Sequence, residues 1–160
     1  MIKKLISKSV EGILQQAVYQ ELYASHAYKH LANKTRALGL FGASSYFTKE
    51  SKDELSHYER LAKYIDDRGS IAEIPEIESC NDEIADLKSA IQYAYDLEYE
   101  LGEKYNKWYT LVDPTTQNFI TKYLKIQTQS IAELADVLKR LELAGDDKSA
   151  ILIIDKELGK

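Results

Sequence analysis

The stretch SIAEIPEIESCN, residues 70–81, decides how the rest of the chain can fold. It contains Pro75 and is too long for a tight turn. On either side lie long amphipathic segments. A helix of about 27–30 residues spans roughly 40–45 Å, and an extended linker of about 12 residues can run nearly that far. The stretch therefore reads as a crossover that carries the chain from one end of a helical bundle back to the other.

Working outward, four long helices are expected, over about 6–38, 42–68, 82–112 and 115–144, with a short fifth over 148–158. Gly39, Gly69 and Gly145 stand just past three of the stops, and Asp113-Pro114 ends the third segment. Glycine past the last turn and proline beyond it are helix stop signals. The first and second segments are joined by a short link, as are the third and fourth, so each pair is expected to be antiparallel. The expectation is an all-α, single-domain chain over 1–160: a four-helix bundle with one long crossover between the second and third helices. A linear array of helical hairpins needs an internal repeat, and the sequence has none.

Composition narrows the function. The net charge is −5 and no Lys/Arg run occurs, which argues against a nucleic-acid partner. Cys80 is the only cysteine, so there is no internal disulfide and no cysteine-rich metal site. The start, MIKKLISKSVEGILQQ, lacks an apolar run long enough for a signal segment, and no apolar run approaches a membrane span. A soluble, cytoplasmic protein is expected.

The chemistry lies in polar residues at the centres of apolar stripes. At about 100° per residue, the first segment places Val10, Ile13, Leu14, Ala17, Val18, Ser25, Tyr28, Leu31 and Ala32 on one face, with Glu21 near its middle. The second places Phe47, Leu55, Tyr58, Leu61, Ala62 and Ile65 together, with Glu54 central and His57 at the edge. The third has Ile84, Leu87, Ile91, Ala94, Tyr95, Leu101, Tyr105, Tyr109 and Val112 around Glu98. The fourth has Phe119, Ile120, Tyr123, Ile131, Leu134, Leu138 and Leu141 around Gln127, with Ser130 beside it.

Glutamate is almost never fully buried unless paired, and an unpaired buried carboxylate costs several kcal/mol. No lysine or arginine occupies a stripe centre; Lys29 and Lys88 reach only the margins. Three carboxylates, one imidazole and one amide thus converge without a cation. A bound metal supplies the missing charge, and oxygen and imidazole donors without thiolates suit iron, manganese or zinc. Taken alone, Glu54-x-x-His57 reads as a hydrogen-bonded surface or core pair before it reads as a metal site. With Glu21 from a neighbouring helix it is half of a carboxylate-bridged two-metal pattern. The second Glu-x-x-His is absent, since the third helix reads Glu98-Tyr99-Glu100-Leu101. One well-ligated site (Glu21, Glu54, His57) and a weaker one (Glu98, with Gln127 nearby) are expected, bridged by Glu54.

These residues resemble ferritin. QELYASHAYKHLA (20–32), DELSHYERLAKY (53–64), YDLEYELGEKYN (95–106) and YLKIQTQSIAELADVL (123–138) look like its four helix motifs, and AGDDKSAILIIDKEL (144–158) is similar to its C-terminus. The resemblance covers essentially the whole chain. It implies a ferroxidase centre with two irons per subunit: Glu21, Glu54 and His57 on the first, Glu54 and Glu98 on the second, Gln127 beside it, and Tyr28 next to the irons. It further implies oxidation of Fe(II) by dioxygen or peroxide, mineral storage, and a homo-oligomeric shell of 24 subunits. Glu50 and Asp53 are additional cavity-side metal candidates.

Departures also carry information. Bacterial-type glutamates of a third iron site fall at Ile126, Gln129 and Ser130, and acidic pore positions at Gln117, Asn118, Ile120 and Thr121. None of these is acidic. Haem is disfavoured because the only methionine is Met1, and the rubrerythrin pattern because cysteine pairs are missing. Two rival readings remain: a light-chain-like storage subunit without ferroxidase activity, and a small di-iron oxidase or peroxidase that stores no iron.

Overall fold

The computed structural model describes residues 1–160. It is all-helical, with α1 Lys8–Ala37, α2 Phe41–Asp67, α3 Leu87–Tyr109, α4 Pro114–Ala144 and α5 Lys148–Leu158. The boundaries follow local chemistry. The Ser7 hydroxyl accepts from the Val10 amide at 3.1 Å and starts α1. Asp113 caps α4, with Pro114 in its first turn, where a missing N–H costs nothing. Gly39, at φ 80°, takes the left-handed conformation that turns α1 into α2.

Two expectations are corrected. The third helix, expected over 82–112, is shorter at both ends. Asp86 and Ser89 form a capping box that fixes its start, and Ile84 and Val112 are buried outside it. The apolar period ran past the helix because both flanks also pack into the core. Leu55, placed on the second stripe, is 41% exposed. It lies about 100° round the helix from Glu54, off the buried face.

Cross-helix hydrogen bonds give the topology. Tyr28 of α1 meets Glu98 of α3, and Glu21 of α1 meets Tyr105 of α3, so these helices run antiparallel. His57 and Tyr64 of α2 meet Tyr123 and Thr116 of α4 in the same inverted order. Gln127 and Glu142 of α4 meet Glu98 and Lys88 of α3 likewise. With α1 and α2 joined by a short link, α2 and α3 must be parallel. The chain between them therefore has to return along the bundle. It does so over α1: Gln15 and the Glu73 backbone exchange two hydrogen bonds, Tyr19 reaches Glu78, and His30 reaches the Asp82 carbonyl.

The interior has two apolar cores of 14 buried residues each. One gathers Val10, Leu14, Leu61, Ile65, Tyr105, Trp108 and Tyr123. The other gathers Tyr28, Leu31, Phe47, Leu87, Ile91, Leu134 and Ile154, and rests on α5. A polar layer lies between them.

Candidate metal centre

That layer is built by all four long helices. Glu21, Glu54, Glu98 and Gln127 are each no more than 2% exposed, and His57 is 8% exposed. Ligand atoms of Glu21, Glu54 and His57 lie within 4.8 Å of one another. His57 Nδ1 stands 3.2 Å from Glu54 Oε2 and 3.5 Å from Glu21 Oε2. The spacing i, i+3 on α2 is what puts Glu54 and His57 on one face.

Surrounding donors hold the carboxylates in place. Tyr28 Oη donates to Glu98 Oε1 at 2.5 Å, and Gln127 Nε2 to Glu98 Oε2 at 2.6 Å. Tyr105 Oη donates to Glu21 Oε1 at 2.6 Å, and Tyr123 Oη to the His57 carbonyl at 2.7 Å. The tyrosine rings face the cores while their hydroxyls serve the polar layer. Tyr105 stacks on Tyr123 at 5.1 Å between ring centroids, and Tyr28 on Phe47 at 5.9 Å.

The electrostatics are those of crowded like charges. Burial, and then the charge on Glu21, push the Glu54 carboxyl well above the usual range. Burial also raises Glu98, against the hydrogen bonds from Tyr28 and Gln127. Burial works the same way on Glu21, but its neighbours Glu54 and His57, together with the Tyr105 hydroxyl, outweigh it and hold that carboxyl below its ordinary value. Burial and the adjoining carboxylates raise the Tyr28 and Tyr105 phenols far up, so both stay donors at neutral pH.

The donor set fits divalent iron. It offers carboxylate oxygens and one imidazole, with no thiolate and no ion pair to lysine or arginine. Two buried oxygens, Glu21 Oε2 and Gln127 Oε1, have no hydrogen-bond partner. An orphaned buried acceptor is costly in a finished fold and is what a cation relieves.

Other sequence candidates lie outside this cluster. Glu50, one turn before Glu54, is half-buried; burial and then the charges of Asp53 and Glu98 push its carboxyl up to about 7. Asp53 faces solvent and pairs with Lys49 at 3.3 Å. Among the third-site positions, Gln129 donates to Glu133 at 2.9 Å. Ile120, placed near the pore by resemblance, is instead buried in a core at 1% exposure. Gln117 donates to the Tyr109 carbonyl and Thr121 to the Gln117 carbonyl.

Reading the sequence for a site missed Tyr105 and Tyr123. Both appear in it as stripe members. Tyr105 sits two turns from Glu98 and Tyr123 one turn from Gln127, and a hydroxyl on a buried stripe near its central polar residue is the signal that finds them.

Comparisons with known proteins bear on the family and the fold. The chain is 26% identical to a probable bacterial non-heme ferritin-like protein of Haemophilus influenzae over 159 residues, covering 97% of this chain and 96% of that protein. It is 28% identical to a bacterial non-heme ferritin of Escherichia coli over 149 residues, covering 91% and 90%. The solved structure of a closed form of Archaeoglobus fulgidus ferritin, engineered by site-directed mutagenesis, superposes with a TM-score of 0.93 at 25% identity, covering 96% of each chain. The sequence model of the ferritin family, a ferritin-like domain, matches residues 11–144. This chain therefore belongs to the ferritin family.

Proposed function

We propose that the protein stores iron, and that the centre between α1, α2, α3 and α4 is a ferroxidase site. One observation carries the reading: three buried carboxylates and a histidine meet without a lysine or arginine to balance them. Two Fe(II) ions are the substrate. The first is held by Glu21, Glu54 and His57. The second is held by Glu54 and Glu98, with Gln127 beside it, so Glu54 bridges. Each ion gives one electron to dioxygen or peroxide. Carboxylates favour the higher charge of Fe(III) by Coulomb attraction, which a low dielectric strengthens.

Tyr105 and Tyr28 orient Glu21 and Glu98, and Glu54 releases its proton as cations bind. The ferric product then collects as mineral in a homo-oligomeric shell, of 24 subunits by analogy with the family, in the cytoplasm. No helix is long and apolar enough to cross a membrane. Exposed Leu143, Leu152 and Ile153 at the α4–α5 end supply apolar surface for neighbouring copies. A light-chain-like subunit fits less well, because the ligand set is intact. A compact monomer or dimer in light scattering would favour the small oxidase.

The direct test is aerobic Fe(II) oxidation followed by ferric absorbance. Glu54→Ala and His57→Ala should each lose the fast phase. Undiminished rapid oxidation in both variants would sink the ferroxidase assignment.

A further inference from the structure

We propose that divalent iron reaches the centre through the cleft between α3 and α4, and that Gly102 keeps this passage open. The inference rests on the metal-centre reading above. The ligands are buried, so an incoming ion must cross a layer of side chains.

Two clefts run in from the surface toward residues beside the centre. One lies between α2 and α4, has a volume of about 280 Å³, and reaches inward to Tyr123. Its walls carry Arg60, Lys63 and Lys122 against a single acid, Asp67, which Lys63 already engages at 3.0 Å. The other lies between α3 and α4, has a volume of about 230 Å³, and reaches inward to Gln127. Its lining includes Tyr99, Glu103, Asn106 and Thr128, with no lysine or arginine. Unit charges act over about 8 Å at physiological salt, and low-dielectric walls concentrate the field inside a cleft. A dication is repelled from the first cleft and drawn to the second.

Gln127 links the second cleft to the centre. Its Nε2 bonds Glu98 Oε2 at 2.6 Å while its Oε1, buried, has no partner. A carbonyl oxygen in that state is a ready ligand for a cation that has shed part of its water. Gly102 explains the opening. Glycine is less favourable than alanine inside a helix, so its presence needs a local reason. A Cβ here would press on Ile131 Cδ1 at 3.3 Å and touch Gln127 Cβ at 3.7 Å, so any side chain at this position crowds the wall of the cleft beside Gln127. Gly12 of α1 is different: a Cβ there meets nothing within 4 Å.

The test is anaerobic stopped-flow uptake of Co(II), a redox-inert probe, by the assembled protein, read from its visible absorption. Gly102→Leu should slow uptake about tenfold or more while final occupancy stays the same, within the range that focusing clefts add to on-rates. Gly12→Ala should leave the rate unchanged. Glu103→Lys, on the exposed rim, should slow uptake several-fold at low salt and little at high salt, and does not depend on packing. An unchanged rate in both Gly102→Leu and Glu103→Lys overturns the proposal, as does slowing by Glu50→Ala alone. Rapid Co(II) uptake by the wild type, slowed in Gly102→Leu but with no Fe(II) oxidation, would remove the ferroxidase reading and leave the route standing.

Discussion

Single hydroxyls set the centre's geometry. Tyr105 engages one oxygen of Glu21, which leaves the other facing His57. Tyr105→Phe strands a buried acceptor, so the metal-free protein should lose about 1–3 kcal/mol of stability. Groups that orient ligands commonly change metal affinity by about 10–100-fold. Co(II) titration should therefore show the loss at the tighter site, and a loss confined to the weaker site would contradict this role. Glu50 gives a pH prediction. Its carboxyl is raised to about 7 in the fold, against about 4.3 in an unfolded chain. The folded state thus holds the proton more tightly. This contribution to stability is full below about pH 4 and declines as pH rises toward 7. Glu50→Gln should flatten that decline, measured as the melting temperature at pH 5 against pH 8 relative to wild type. The buried polar residues Glu21, Glu54, His57 and Glu98 were legible in the sequence because a polar residue on an apolar stripe breaks a pattern. Tyr105 was not, because its ring obeys the pattern and its partner lies 84 residues away.

At the level of elements, α2 begins without a cap of its own. Leu40 precedes it and offers no side-chain acceptor. The carboxylate of Asp155, from α5, takes that place: it accepts from the Gly42 amide at 3.1 Å and the Ala43 amide at 2.7 Å. A negative group at a helix N-terminus satisfies free N–H donors and the helix dipole together. Asp155→Ala should therefore cost about 1–2 kcal/mol, as lost caps do, and should loosen α5 in hydrogen exchange before the other helices. Asp155→Asn should recover part of this. Gly42 permits the approach, since a Cβ there would stand 1.8 Å from the Asp155 carbonyl oxygen. Gly42→Ala should release α5 more completely than Asp155→Ala, and equal exchange rates in the two would count against this packing. Helix number and crossover were readable from lengths and stop signals. The true start of α3 was not, because Ile84 packs in the core without being helical, and periodicity reports burial rather than backbone.

Over the whole molecule, the two apolar cores hold the bundle together while the layer between them works against it. Buried like charges are a poor way to stabilise a fold, because burial and mutual repulsion both disfavour the charged forms. Glu54 is the sharpest case, since it stands against both Glu21 and Glu98, with Glu21 the stronger influence. Glu54→Gln keeps the shape of the carboxyl, which burial and then Glu21 hold toward its protonated form, and removes the cost of taking up that proton on folding at neutral pH. Metal-free, the variant should therefore melt higher than wild type, by about 2–4 °C per kcal/mol gained in a protein of this size. With metal the order should reverse. A ligand at about 100 times its dissociation constant adds about 2.7 kcal/mol to the state that binds it, and the variant forfeits most of this with its bridging oxygen. Paired melts, metal-free and saturated with Co(II), read both signs in one experiment. If Glu54→Gln lowers the melting temperature without metal as well, the carboxylate layer is a hydrogen-bonded strut of the bundle. Opposite signs in the two states identify it as a layer held at a cost for the ions it binds.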